Sequence, residues 1–270
     1  METWEFLAAP FTAGLILTGI HAYLGLHVVE RGVIFVDLAL AQIAALGTVV
    51  GFLAGAELHG GGAYWWSLGF TFIGAGLFSL TRMRHSRIPH EALIGIVYAV
   101  SAAASIAAMS RAPEGAEHLK DMLVGNILVV SWGEVGRTAL LYGAVGLFHW
   151  VFRRQFLLIS TDAERARREG RSVRLWDFLF YVSFGVVVTS SVSIAGVLLV
   201  FSYLIVPSVC AMLFAERIGP RLTLGWSMGA GVSAAGVLLS YALDLPTGAA
   251  IVCTFGGALL IAAGVRAVIR

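Results

Sequence analysis

Charge is what this sequence has least of. Charged residues occupy 13% of its 270 positions and apolar residues 59%, whereas a soluble domain carries about 25% and about 45–50%. So few charges cannot cover the core that so many apolar side chains would form, which excludes a single water-soluble domain. The same figures exclude a disordered chain. Lysine is nearly missing. Lys120 is the only one and the formal net charge is +2, so no broad basic face is available for nucleic acid. Cysteine occurs twice, as Cys210 and Cys253, both inside apolar stretches. With no C-x-x-C pair or thiolate cluster, neither a disulfide framework nor a structural zinc is indicated. The opening METWEFLAAPF has two acids and no Lys or Arg. It lacks the basic start of a cleaved signal peptide, so the first apolar segment is expected to stay in the mature protein.

Catalytic patterns are missing as well. The phosphate-binding G-x-x-x-x-G-K-[ST] has no match, and Leu119-Lys120-Asp121 is no substitute. His90-Glu91 opens a zinc-protease pattern, but Ile94 stands where the second His is needed. G-x-S-x-G occurs as Gly225-Trp226-Ser227-Met228-Gly229, but inside the apolar run 222–243 and not at a strand-to-helix turn, so it is no nucleophile elbow. The chain is read as a non-enzyme with no permanently bound cofactor.

What is present is a series of long apolar runs, with a mean hydropathy of +0.87. Crossing a hydrocarbon core of about 30 Å at about 1.5 Å per residue takes about 20 residues. Runs of that size fall at 6–26, 33–56, 64–81, 92–110, 134–152, 176–192, 194–215, 222–243 and 248–266. Barrel strands would instead alternate over about 10 residues. The fold class is therefore all-α, a polytopic helical membrane protein with about eight or nine transmembrane helices, taken as one domain over 1–270. Between 176–192 and 194–215 only the polar stretch Thr189 to Ser193 marks a break.

Arginine sets the orientation, because cytoplasmic loops collect positive charge. If the runs alternate, 15 of the 18 Lys and Arg fall on one side, and only Arg111, Lys120 and Arg137 on the other. This places the 82–90 and 153–175 loops and the C-terminus in the cytoplasm. Small residues recur at helical spacing in Gly47, Gly51 and Gly55 and in Gly225 and Gly229. Such faces let helix backbones approach closely, within one subunit or between two. Pro207 lies inside a run and is expected to kink it.

A charged or ligating side chain inside a span is costly and is a functional candidate by default. His21, Asp37 and Gln42 stand out, with His149 and Asp177 nearer the span ends. Asp37 has two options. It can pair with Arg31, six residues earlier, or line a polar path. Asp37 and Gln42 are about 140° apart on a helix and share a face only loosely. Together His21, Asp37 and Gln42 offer one nitrogen and two oxygen ligands, which suits weak holding of a borderline divalent cation, with His21 and Asp37 as candidate metal ligands. On the outer side, Glu114, Glu117, His118 and Asp121 would share one face of a helix. They form either an ordinary solvated loop or an external collar that attracts cations or a partner protein.

Five segments then resemble the permeases of ATP-binding-cassette importers for zinc, manganese and iron. They are GLHVVERGVIFVDLALAQIAALG (Gly25 to Gly47), EALIGIVYAV (Glu91 to Val100), LVGNILVVSW (Leu123 to Trp132), AGVLLVFSYLIVPSVCAMLFAERIG (Ala195 to Gly219) and LLSYALDLPTGAAIV (Leu238 to Val252). The similarity runs from about Phe11 to about Ala263. It implies an importer-type permease bundle in a bacterial or archaeal cytoplasmic membrane. It also implies a second copy of the chain, a cytoplasmic ATP-binding subunit, and an external metal-binding protein that delivers a divalent metal.

The cytoplasmic segment STDAERARREGRSVR (Ser160 to Arg174) has its own logic: an N-cap signal at Ser160 to Asp162, a helix-favouring run, and Gly170 as a stop. Asp162, Ala163, Glu164, Ala166 and Gly170 resemble the family's ATPase-coupling segment. The arginines of 153–174 also suit a polybasic contact with anionic lipid. One departure stands out. The family commonly shows G-D-A-L-S-H on the second helix. Aligning its Ala-Leu step here puts Leu38 at the Asp position, Gln42 at the His position and Asp37 where Gly is usual. The usual ligand pair is not carried over. Two alternatives therefore stay open: a permease of the same complex type for a non-metal solute, with Gln42 as hydrogen-bond donor, or a stand-alone secondary transporter.

Overall fold

Each of the nine apolar runs overlaps most of one long helix of the computed structural model, which describes residues 2–57, 60–82, 88–110 and 127–269. The helices are α1 (Glu2–Arg31), α2 (Val36–Leu53), α3 (Gly61–Thr81), α4 (His90–Met109), α5 (Trp132–Val151), α6 (Arg153–Thr161), α7 (Ala163–Arg168), α8 (Val173–Ala195), α9 (Val197–Phe214), α10 (Ile218–Leu243) and α11 (Thr247–Ile269). A 3-10 turn, Ile127–Val129, precedes α5. No strand occurs among the described residues.

Among the described residues, seven helices are long and apolar enough to cross a membrane: α1 from Ala8, α2, α4, α8, α9, α10 and α11. The sequence puts α3 and α5 in the same class, and both have the length. Their composition is weaker. Glycines, Tyr64, Trp65 and Trp66 dilute α3, while α5 carries Glu134, Arg137 and His149.

The helix ends follow the local chemistry. Ser131 and Glu134 form a reciprocal cap at the start of α5. Glu134 accepts from the Ser131 backbone N–H at 2.8 Å, and the Ser131 hydroxyl accepts from the Glu134 N–H at 3.3 Å. The break expected at Thr189 to Ser193 lies further on. That stretch is helical, with Ser191 Oγ donating to the Val187 carbonyl within α8. The chain leaves the helix at Gly196, whose φ of +75° only glycine adopts without strain. Serine and threonine can satisfy themselves on the preceding turn of a helix, so polarity alone did not break it.

The chain divides into two compact units built from interleaved segments. The first holds Met1–Val29, Leu123–Gly146 and Ser193–Arg270, and the second holds Glu30–Met122 and Leu147–Val192. Close backbone approach organises each. In the first, a Cβ on Gly229 would lie 2.6 Å from Thr18 Cγ2, so α10 seats directly on α1. Trp226 Nε1 donates to the Gly19 carbonyl at 2.9 Å across the same contact. Ser208 Oγ donates to the Ala22 carbonyl at 3.1 Å, tying α9 to α1 beside Pro207. In the second unit, Gly47 and Gly51 face Trp66 and draw α2 against α3. Gly55 does not continue that face. It lies beyond the end of α2 with φ of +93° and works as a chain reversal.

Candidate functional site

The first-unit candidate is His21. It is fully buried on α1. Its Nδ1 lies 2.8 Å from the Leu17 carbonyl, so Nδ1–H is the donor and Nε2 carries the lone pair. The ring meets Tyr142 edge-on at 6.1 Å. An imidazole held in that tautomer is a competent neutral ligand.

The second unit carries Asp37 and Gln42, both buried on α2. Of the two options for Asp37, the structure removes one. Arg31 does not pair with it. Nη1 of Arg31 lies 2.5 Å from Asp177 Oδ1, and Nε donates to Ser160 Oγ at 2.9 Å. Both carboxylate oxygens of Asp37 are buried with no hydrogen-bond partner among the described residues. An ionisable side chain in that state inside an apolar helix is expensive to keep and gains nothing for folding. Among the described residues, no three His, Cys, Asp or Glu side chains gather as a metal site. The collar residues Glu114, Glu117, His118 and Asp121 lie outside the described residues.

The other two ionisable positions near span ends have structural partners. His149 stacks on Phe156 at 4.1 Å, with Nε2 2.8 Å from Ser183 Oγ. Asp177 is fully buried and pairs with two arginines, Arg31 and Arg82. His90 and Glu91, the fragment of a protease pattern, are also structural. Glu91 Oε1 accepts the Phe35 N–H at 2.8 Å and holds the start of α2, and His90 Nε2 bonds to the Phe78 carbonyl at 3.0 Å.

The predicted cytoplasmic loop at 153–175 is mostly helical, because α6 continues the chain after α5 and α7 follows it. Asp162 caps α7 by accepting the Arg165 N–H at 2.8 Å. Gly170, with φ of +75°, ends it, and the Arg171 N–H returns to the Ala166 carbonyl at 2.9 Å. Ala166 is fully buried against Ile159 and Val173, flanked by Leu158, Ala163 and Trp176. The outer face holds Arg165–Glu169 and Arg167–Glu164 pairs, and the hydrogen bond that Arg165 donates to Glu169 raises its affinity for its proton. The result is a short charged helix, locked by its small buried Ala166 onto α6 and the start of α8.

Asp177 and Arg31 are both visible in the sequence, but their pairing is not. Nor are Arg82 and Ser160 as its other members. The available signal was the rule that a carboxylate opening a membrane helix needs a cation. That rule does not choose among the arginines.

The chain as a whole is similar to known proteins. The model of the ABC 3 transport family matches residues 3–266. A "Probable iron transport system membrane protein" of Haemophilus influenzae is 28% identical over 249 residues, covering 92% of this chain and 89% of that protein. The manganese transport system membrane protein MntC of Listeria innocua is 25% identical over 256 residues, covering 92% of this chain and 86% of its own. Among solved structures, PsaBC from Streptococcus pneumoniae in complex with Fab aligns with a TM-score of 0.77 at 24% identity, over 95% of this chain and 90% of that one. The structural likeness establishes the fold, and the family model covers nearly the whole length. The chain belongs to the ABC 3 transport family.

Proposed function

We propose that this chain is the membrane-spanning permease of an ATP-driven importer for a divalent metal ion such as manganese, iron or zinc. ATP hydrolysis resides on a separate cytoplasmic subunit that engages α7. An external binding protein delivers the ion, and two copies of the chain form the path. The relatives named for iron and manganese support the cargo class. The observation that carries it is Asp37, whose buried carboxylate has no hydrogen-bond partner among the described residues. A hard or borderline cation passing α2 would supply the missing partner, with Gln42 on the same helix adding a neutral oxygen. His21, in the other unit, is a separate candidate for the ion's path through an imidazole nitrogen. With glutamine at the position where the family commonly has histidine, the site holds its ion weakly, as release into the cytoplasm requires.

The test is uptake of manganese(II), iron(II) and zinc(II) into proteoliposomes holding the permease, its ATPase and its binding protein. At least one ion should accumulate in an ATP-dependent manner. Asp37→Ala should lower that uptake by about tenfold or more and leave assembly with the ATPase intact. Asp37→Asn, which removes an unpaired buried charge, should melt no lower than wild type, and up to about 2 kcal/mol more stable. Full uptake by either variant removes Asp37 from the path. Accumulation of none of the three ions leaves the non-metal cargo, and uptake driven by an ion gradient with no ATPase present overturns the ATP-driven reading.

A further inference from the structure

The chain links the cytoplasmic helix to the membrane residues through one buried arginine. Arg31 ends α1, and α2 begins at Val36, so the guanidinium sits at the elbow that leads to Asp37. Its side chain is fully buried. Nε donates to Ser160 Oγ at 2.9 Å, Nη1 meets Asp177 Oδ1 at 2.5 Å, and the guanidinium carbon lies 3.9 Å over the Phe180 ring. Ser160 follows Ile159, and Ile159 is packed on Ala166 of α7. A displacement of α7 therefore carries Ser160 with it, and Ser160 holds Arg31.

The ion cluster is arranged so that it can shift. Arg31 and Arg82 both bind the same oxygen, Asp177 Oδ1, at 2.5 and 2.7 Å. The other oxygen, Oδ2, is buried with no hydrogen-bond partner among the described residues. Arg31 can move from Oδ1 to Oδ2 while Arg82 keeps Oδ1, so the buried pair never breaks. Breaking it would be prohibitive, and exchanging oxygens is not. A packed element with two alternative registers of similar cost is what turns a small displacement into a discrete step.

We propose that Arg31, Ser160 and Asp177 form a latch that passes movement of α7 to the α1–α2 elbow, with Ser160 and Arg31 acting as positioning residues for transport. The inference rests on the proposed role of α7 as the ATPase-coupling helix.

Manganese(II) uptake and phosphate release are measured on the same proteoliposomes of the full complex, and their ratio is the readout. Ser160→Ala should lower manganese moved per ATP hydrolysed by about tenfold, the effect of losing one hydrogen bond to a charged group. Ser160→Thr, which keeps the hydroxyl, should restore the ratio. Arg31→Lys keeps the charge but lacks the planar fork, so it should reproduce the loss, and combining it with Ser160→Ala should add little further. If uptake and hydrolysis fall together at a constant ratio, the cluster is only structural and the latch is wrong. Gly170→Val, which strains the end of α7, separates the two readings. If Gly170→Val uncouples and Ser160→Ala keeps the wild-type ratio, the latch fails and the coupling role of α7 stands. If neither variant changes the ratio, the coupling role fails and takes the latch with it.

Discussion

Asp177 and Asp37 are both buried aspartates in this chain, and they are treated in opposite ways. Asp177 binds two guanidinium groups on one oxygen, while Asp37 has no hydrogen-bond partner among the described residues. Their substitutions should therefore diverge. Asp177→Asn leaves the fully buried Arg31 without its counter-charge, a loss of about 3–5 kcal/mol. The purified protein should melt well below wild type. Arg82 contributes less to that loss, since its side chain is 18% exposed and can turn to solvent. An unchanged melting temperature would mean that the ion cluster adds nothing to the fold. The residue scale also shows where reading the sequence alone stopped. It isolates Asp37 and Asp177 as costly, but it cannot say which is paired, because Arg31 lies six positions from one and 146 from the other. Nearness in sequence offered Arg31 to Asp37 as one of two options, and the structure gives it to Asp177.

Among elements, α2 is the most constrained. Its start is held by Glu91, and its Gly47 and Gly51 meet Trp66 of α3. A Cβ on Gly47 would fall 2.7 Å from the Trp66 carbonyl oxygen, and backbone cannot yield as a flexible side chain can. Gly47→Leu should cost about 1–3 kcal/mol and shift the helix that carries Asp37, so stability and uptake should fall together. Gly55→Ala acts at a position with open space but a φ of +93°. Any loss there comes from the turn and not from helix packing. Spacing in the sequence groups the three glycines on one face, and only where α2 ends separates the third from the other two. The same holds for α7. Its cap, its run and its glycine stop are local chemistry and are legible in order. The burial of Ala166 on Ile159 and Val173, which makes the helix a rigid projection, is not.

For the molecule as a whole, the arginine distribution over nine alternating apolar runs predicts α7 on the cytoplasmic side. A single cysteine at Arg168, in a chain with Cys210 and Cys253 replaced, should react with a membrane-impermeant maleimide in inside-out vesicles and not in right-side-out ones. The ATPase partner should block that reaction. Labelling from the outside would reverse the orientation and remove α7 from contact with any cytoplasmic subunit.

Composition and hydropathy by themselves determined the membrane class, the helical architecture and the rough positions of the long helices. These follow from quantities summed over many residues, such as the cost of burying charge and the length needed to cross a bilayer, and a sum tolerates local error. The partner of each buried charge, the break at Gly196 and the seating of α7 on α6 and α8 were decided only in three dimensions. Each depends on which of several chemically equal groups arrives within hydrogen-bond reach, and that choice is made by the packing of helices distant in the chain.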